Sequence, residues 1–279
     1  MPFDISLAIK LGRFVQDAYT MNTLPDPTKI QLWDPSFRIV NFIYGDDEWD
    51  QKDGYVAFGF IACSPAAPYT LAVIVRGTEN IWDWMADAIF LRQKCSIAGA
   101  PGGAETEGGF ASLYNTLRVG PTSSAVTLKA AVQACLGSLG AANVAQVCVS
   151  GHSLGGALAT LIAADLVGSQ VVELPHVYTF ASPAVGEKTF GAWYDGLAPD
   201  SYRIFNSPDI VPTLPPSIFG YTHTDEPYQI NSGATTQSSV GCHHSLGTYL
   251  HALDPTQVLD PACAILGLPA ASAAPLPGT

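Results

Sequence analysis

The stretch Val147–Leu158 reads V-C-V-S-G-H-S-L-G-G-A-L. Its opening residues are apolar or small, with valine recurring, as in a buried strand. Gly151-His152-Ser153-Leu154-Gly155 then breaks the pattern, and a long apolar run follows that reads as a helix over Leu154–Val167. This is G-x-S-x-G set between a strand and a helix, the context that projects a serine hydroxyl from a sharp turn. The two backbones approach closely there, so the flanking residues must be small. Gly151 and Gly155 meet that need, and Gly156 and Ala157 extend it into the helix. Ser153 then stands at a helix N-terminus, where the helix dipole favours developing negative charge. It is the candidate nucleophile.

Working outward, β-branched and aromatic runs predict strands over Arg38–Tyr44, Tyr55–Ala62, Thr70–Arg76, Val144–Val149, His176–Ala181 and Tyr202–Asn206. Helical spacing predicts helices over Ser123–Leu139, Leu154–Val167 and Glu187–Gly196, besides an amphipathic first helix with Leu7, Leu11, Phe14, Val15 and Ala18 on one face. Strands alternating with helices imply an α/β protein with a mostly parallel central sheet covered on both faces. The early strands, joined by Gly/Pro-rich turns, suit an antiparallel edge. Ser96–Gly109 reads as a loop. No repeat or internal linker divides the chain, so residues 1–268 are expected to form one domain. The Ala/Pro-rich stretch 269–279 predicts a disordered tail.

The chain has 279 residues, of which 13% are charged, and a net charge of −12. So acidic a surface repels phosphate backbones and anionic lipid, which argues against nucleic acid as a partner. It leaves neutral lipid open, where apolar burial drives contact. No stretch is long and apolar enough for a transmembrane helix. Lys10, Arg13 and Asp17 interrupt the N-terminal run, so no signal peptide is visible; a cytoplasmic location, or a secreted one after loss of a leader, both fit. The six cysteines show no zinc spacing. Cys135 and Cys148 sit in apolar patterns and read as free thiols, while Cys63, Cys95, Cys242 and Cys263 leave room for one disulfide of unassigned connectivity.

Further segments match a family in order along the chain. They are Val75-Arg76-Gly77-Thr78, Trp84-Met85-Ala86-Asp87, Gly109-Phe110, the G-H-S-L-G-G of the elbow, and Asn206-Ser207-Pro208-Asp209-Ile210-Val211-Pro212. With these motifs the chain resembles the class 3 lipases, a group of fungal triacylglycerol lipases and plant acylhydrolases, from about residue 5 to about residue 253. The resemblance implies the α/β-hydrolase fold with a short helical lid. It also implies an oxyanion hole in which Thr78 supplies its backbone N–H beside the N–H of Leu154. The lid is expected after Thr78, with Trp84 and Asp87 as anchors and Ile81, Trp82 and Met85 turned towards substrate.

A serine hydroxyl needs a base, and the base an orienting carboxylate. In this fold the chain order is serine, acid, histidine. Asp209 directly follows the strand Tyr202–Asn206, at a carboxyl end where site residues belong, and is the expected acid. A turn aspartate is the plain alternative, and Asp225 and Glu226 read as solvated loop residues. Among later histidines, His244 opens a pattern resembling the family's His-to-Tyr segment and is the expected base. His243 is its competitor, and the pair could also hint at a metal, though no third ligand supports one. His223 is non-catalytic by resemblance, His251 reads as a helix-face residue, and His152 as support for the turn.

The stiff apolar segment after the acid, with Val211, Leu214 and Ile218, is expected either to line an acyl groove or to be core. Together these residues imply cleavage of a carboxylic ester, with lipid substrates at a lipid–water interface and no cofactor or metal. Rival readings are a phospholipase A1, a feruloyl or aryl esterase, or an acyltransferase of the same fold. A non-catalytic binding protein on the same scaffold is more remote.

Overall fold

The computed structural model describes residues 2–46, 55–78, 90–120 and 124–265. Their main sheet has nine strands: β1 (Arg38–Asp46), β2 (Tyr55–Cys63), β3 (Tyr69–Val75), β4 (Arg118–Val119), β5 (Val126–Thr127), β6 (Val144–His152), β7 (His176–Phe180), β8 (Ser201–Asn206) and β9 (Glu226–Ile230). They lie in the order β9-β8-β7-β6-β3-β2-β1-β4-β5. The five strands from β9 to β3 run parallel, and β2, β1, β4 and β5 continue antiparallel. A second, four-stranded sheet joins Tyr221–Thr222, Gly186–Glu187, Glu105–Glu107 and Arg92–Lys94.

Both faces of the main sheet are covered, because its central strands are apolar on both sides. In β3, Leu71, Val73 and Val75 enter one core while Ala72 and Ile74 enter the other. The first core takes in α2 (Gly108–Thr116), α3 (Leu128–Leu139), α4 (Leu154–Gly168) and α5 (Lys188–Leu197). Every residue of α4 from Leu154 to Leu166 is buried, which suits a helix apolar all round. The second core takes in α1 (Ile5–Thr23), and beyond the short α6 (Val240–His244), α7 (Leu246–Leu253). Helix α1 starts at Asp4, whose carboxylate accepts from the N–H groups of Ser6 and Leu7 at 2.8 and 3.1 Å. Its buried stripe runs through Ala8, Leu11, Phe14, Val15, Ala18 and Met21.

Several boundaries depart from the sequence reading. Strand β6 continues to His152, so the elbow follows the sheet without a linker. The expected helix from Ser123 begins only at Leu128, because Val126 and Thr127 pair with β4 and Thr127 Oγ1 caps the helix by accepting from Ala130 N–H. Ser96–Gly109 is not all loop: Glu105–Glu107 is a strand, and Glu107 starts α2 by accepting from Phe110 N–H at 2.7 Å. Glu226, expected in a loop, heads β9. His244 ends α6 rather than opening the C-terminal helix, which begins after Ser245. The lid expectation, with Trp82 and Met85, and the tail 269–279 lie outside the described residues. The disulfide joins Cys242 to Cys263, and Cys63, Cys95, Cys135 and Cys148 are free.

At the β6–α4 turn Ser153 adopts a φ of 59°, a region that favours glycine. Space is as tight as the motif implies. A Cβ on Gly151 would fall 2.0 Å from the Gly155 carbonyl oxygen, and one on Gly155 would fall 2.5 Å from that of Arg76. Both obstacles are backbone and cannot rotate away. Gly151→Ala is therefore expected to cost about 3 kcal/mol. The check is a urea midpoint lowered at unchanged slope; an unmoved midpoint contradicts this account of the turn.

Candidate active site

Ser153, Asp209 and the loop at Thr78 all follow strands of the parallel half at their carboxyl ends, after β6, β8 and β3. Ser153 caps α4, and its N–H donates to the Phe180 carbonyl at 2.8 Å, which ties the turn to the end of β7. Asp209 sits in a tight turn closed by its own N–H on the Asn206 carbonyl at 2.9 Å. His244 arrives from α6, and its Nδ1 lies 2.8 Å from Asp209 Oδ2. An ionised carboxylate only accepts, so Nδ1 carries the proton, and in the neutral imidazole Nε2 then keeps a lone pair. Among the described residues, that Nε2 and the Ser153 Oγ are both buried with no hydrogen-bond partner. Two unsatisfied buried groups of complementary type are costly unless a reaction uses them.

Asp209 is held ionised by its neighbours. Burial pushes its carboxyl up, but the His244 imidazole, the Tyr249 hydroxyl and the Val211 amide overcome that and keep it below the ordinary value. Tyr249 O–H donates to Oδ2 at 2.7 Å and Val211 N–H to Oδ1 at 3.0 Å. The same Tyr249 oxygen accepts from Asn206 N–H at 3.1 Å. Burial and the Asp209 charge push the Tyr249 phenol well up, so it remains a donor.

The loop Arg76–Thr78 presses against the elbow. A Cβ on Gly77 would lie 2.7 Å from the His152 carbonyl oxygen and 3.1 Å from Ser153 Cβ. Arg76 is fully buried; its Nε donates to the Ala57 carbonyl at 3.0 Å and its Nη1 to the Gly77 carbonyl at 2.6 Å. Its guanidinium also lies over the Phe58 ring, 4.6 Å from the centroid. Thr78 is buried beside this anchor. Leu154 is the first residue of α4, where N–H groups have no acceptor within the helix.

The other sequence candidates fall elsewhere. His243 reaches this centre through its backbone, since its carbonyl accepts from Asn206 Nδ2 at 2.8 Å. His223 Nε2 contacts the Pro212 carbonyl at 2.6 Å, and His251 Nδ1 the Gln257 carbonyl at 2.8 Å. Asp225, expected in solvent, is partly buried; burial and the nearby Asp195 raise its carboxyl to about 7. Val211 is wholly buried in the first core and Leu214 packs against it. Ile218 stands 87% exposed, with Phe219 and Ile210 also exposed, so Ile218 lines no buried groove. Sequence reasoning gave no role to Tyr249, Asn206, Arg76 or Tyr19. An arginine closing an otherwise apolar strand, and the family-like segments that hold Asn206 and Tyr249, were the available signals. Tyr19 looks like an ordinary helix residue.

The model of the family described as lipase (class 3) matches residues 72–219, more than half the chain. The chain belongs to the class 3 lipases. It is 33% identical over 164 residues to a secreted mono- and diacylglycerol lipase of Fusarium solani, covering 58% of this chain and 44% of that protein. It is 30% identical over 198 residues to a lipase of Rhizomucor miehei, covering 66% of this chain and 50% of that one. Phospholipase A1-II 3 of Oryza sativa subsp. japonica is 27% identical over 88% of this chain and 67% of its own. The chain thus spans about half the length of the two fungal relatives. Among solved structures, a triacylglycerol lipase described as having a serine protease triad as its catalytic centre superposes with a TM-score of 0.63. The match has 24% identity and covers 82% of this chain and 81% of that one. The fold is that of the α/β-hydrolases.

Because the folded Asp209 pKa lies below its unfolded value, its contribution to stability is complete above the ordinary carboxylate range. It is lost as pH falls through the folded value. Tyr249→Phe removes a hydrogen bond to the charged form, raises that pKa and moves acid unfolding to higher pH. It is expected to cost about 2 kcal/mol at neutral pH. Acid titration followed by circular dichroism reads the shift, and an unmoved acid midpoint contradicts the assignment.

Proposed function

We propose that this chain is a serine ester hydrolase that cleaves carboxylic esters of lipids. The observation that carries this is the pair of orphaned atoms: Ser153 Oγ and His244 Nε2, both buried, with Nδ1 of the same imidazole held by Asp209. In this reading Nε2 takes the proton from Oγ as the hydroxyl attacks the ester carbonyl. The imidazolium that forms is stabilised by Asp209, which is already ionised and oriented. The oxyanion is received by the backbone N–H groups of Thr78 and Leu154, at the end of β3 and the start of α4. His244 then returns its proton to the departing alcohol, and a water activated by the same nitrogen cleaves the acyl-enzyme.

Three features support lipid as the substrate. The relatives are lipases and phospholipases by name. Exposed Ile210, Ile218 and Phe219 follow the acid and offer an apolar rim suited to a lipid surface. The Tyr221 hydroxyl donates to the Phe90 carbonyl at 3.2 Å, which brings exposed Leu91 close to this rim. A phospholipase A1 activity is the second reading, favoured by the wider coverage of the rice relatives. The disulfide between Cys242 and Cys263 supports an oxidising compartment, in keeping with secretion.

Wild type is expected to hydrolyse p-nitrophenyl esters, and Ser153→Ala to lose at least ~10³-fold in kcat. Emulsified triolein and phosphatidylcholine vesicles compared side by side separate the glyceride from the phospholipid reading. A Ser153→Ala chain with full activity, or a wild type inert on every ester, overturns the proposal.

A further inference from the structure

Two consecutive carbonyls of the segment that bears His244 are each gripped by a side chain from the sheet. Asn206, at the end of β8, donates Nδ2–H to the His243 oxygen at 2.8 Å. His152, at the end of β6, lies with Nε2 2.8 Å from the His244 oxygen. A carbonyl cannot donate, so His152 Nε2 carries a proton. The ring is wholly buried. Burial first, and the adjacent His244 second, pull its pKa down to about 3, so it stays neutral and its Nδ1 must accept.

The donor to Nδ1 is the Tyr19 hydroxyl, 2.9 Å away. The Tyr19 oxygen in turn accepts from the Gly77 N–H at 3.0 Å. Every proton in this series has one consistent direction. It runs from Gly77 N–H to Tyr19, from Tyr19 O–H to His152, and from His152 Nε2–H to the His244 carbonyl. Its two ends are the main chain beside Thr78 and the main chain of the base. Its middle is the residue before Ser153, and the one member outside these three segments is Tyr19 on α1.

We propose that Tyr19 and His152 are positioning residues whose directional hydrogen bonds hold the Gly77–Thr78 loop and the His244 backbone in register about Ser153. The inference rests on Ser153 and His244 acting as nucleophile and base. Neither Tyr19 nor His152 touches substrate; Tyr19 fixes the Gly77 N–H beside the Thr78 amide, and His152 fixes the carbonyl of His244. A neutral relay suits this task. An imidazolium would turn Nδ1 into a second donor and reverse the direction of the bond with Tyr19. The chemistry at Ser153 demands that N–H donors and Nε2 be placed within a fraction of an ångström, and a misplacement near 1 Å costs on the order of 100-fold in rate.

The test uses the full chain with Tyr19→Phe, His152→Gln, His152→Asn and His152→Phe. A fluorophosphonate titration counts reactive Ser153 in each, and kcat per titrated site and KM are measured on a short soluble ester. Glutamine can place an amide N–H near the position of Nε2, and asparagine a carbonyl near that of Nδ1, so each restores one half of the relay. The expected result is a kcat per site lowered ~10- to 100-fold in Tyr19→Phe and His152→Phe, with KM changed less than ~3-fold. Part of the loss returns in the two amide variants. A merely structural role would lower the number of titratable sites and leave kcat per site intact, and that outcome overturns the proposal.

A second readout needs no variant to fold. In ¹⁵N-histidine spectra of the wild type at neutral pH, His152 should be the Nε2–H tautomer; an Nδ1–H tautomer or an imidazolium overturns the relay. Failure of the hydrolase reading itself looks different, since Ser153 would then go unlabelled or Ser153→Ala would stay active.

Discussion

The constraint on which the rest depends is the passage of the backbone from β6 into α4 through a single residue. Ser153 sits at a positive φ that a side chain other than glycine adopts at a cost of about 1–3 kcal/mol. The cost persists because the surroundings leave no relaxed alternative. The Gly151 and Gly155 positions are each walled by backbone carbonyls, and the Ser153 N–H is fixed to the end of β7. Helix α4, buried at every position from Leu154 to Leu166, anchors the turn on the far side. Large apolar burial on both faces of the sheet thus offsets a small local strain, and the strain points the hydroxyl.

With the elbow fixed, the other groups follow from sheet order. Strand β3 lies next to β6, and β8 lies beyond β7 on its other side. Their carboxyl ends therefore flank Ser153, with the Arg76–Thr78 loop on one side and Asp209 on the other. His244 comes from outside the sheet and needs its own restraints. It is held by Asp209 through its ring and by Asn206 and His152 through the neighbouring carbonyls. The disulfide at Cys242, two residues ahead of His244, closes the same segment covalently. Tyr249 serves both systems at once, since one hydroxyl donates to Asp209 and accepts from the strand that carries it.

The elbow, the central strands and the position of Asp209 at a strand end were legible because each rests on local signals. Strand-turn-helix punctuation marked Ser153, and the end of an apolar run marked Asp209. His244 was legible mainly through its likeness to a family segment, and the structure sets it at the end of a short helix rather than at the start of a long one. What stayed hidden depends on contacts between residues far apart in the chain. Tyr19 meets His152 across 133 positions, and Asn206 meets His243 across 37. Nothing in the periodicity of α1 separates Tyr19 from an ordinary helix residue. Ile218, expected either to line a groove or to be core, stands on the surface. Burial of an apolar side chain is a tendency, and one exposed isoleucine is no exception to it.

The most direct test of the central claim is a crystal structure of the chain after reaction with diethyl p-nitrophenyl phosphate. The account predicts phosphorus bonded to Ser153 Oγ. It also predicts the phosphoryl oxygen within hydrogen-bond reach of the Thr78 and Leu154 N–H groups, and His244 Nε2 facing the modified serine oxygen. An adduct on another residue, or a phosphoryl oxygen turned away from both amides, would contradict it.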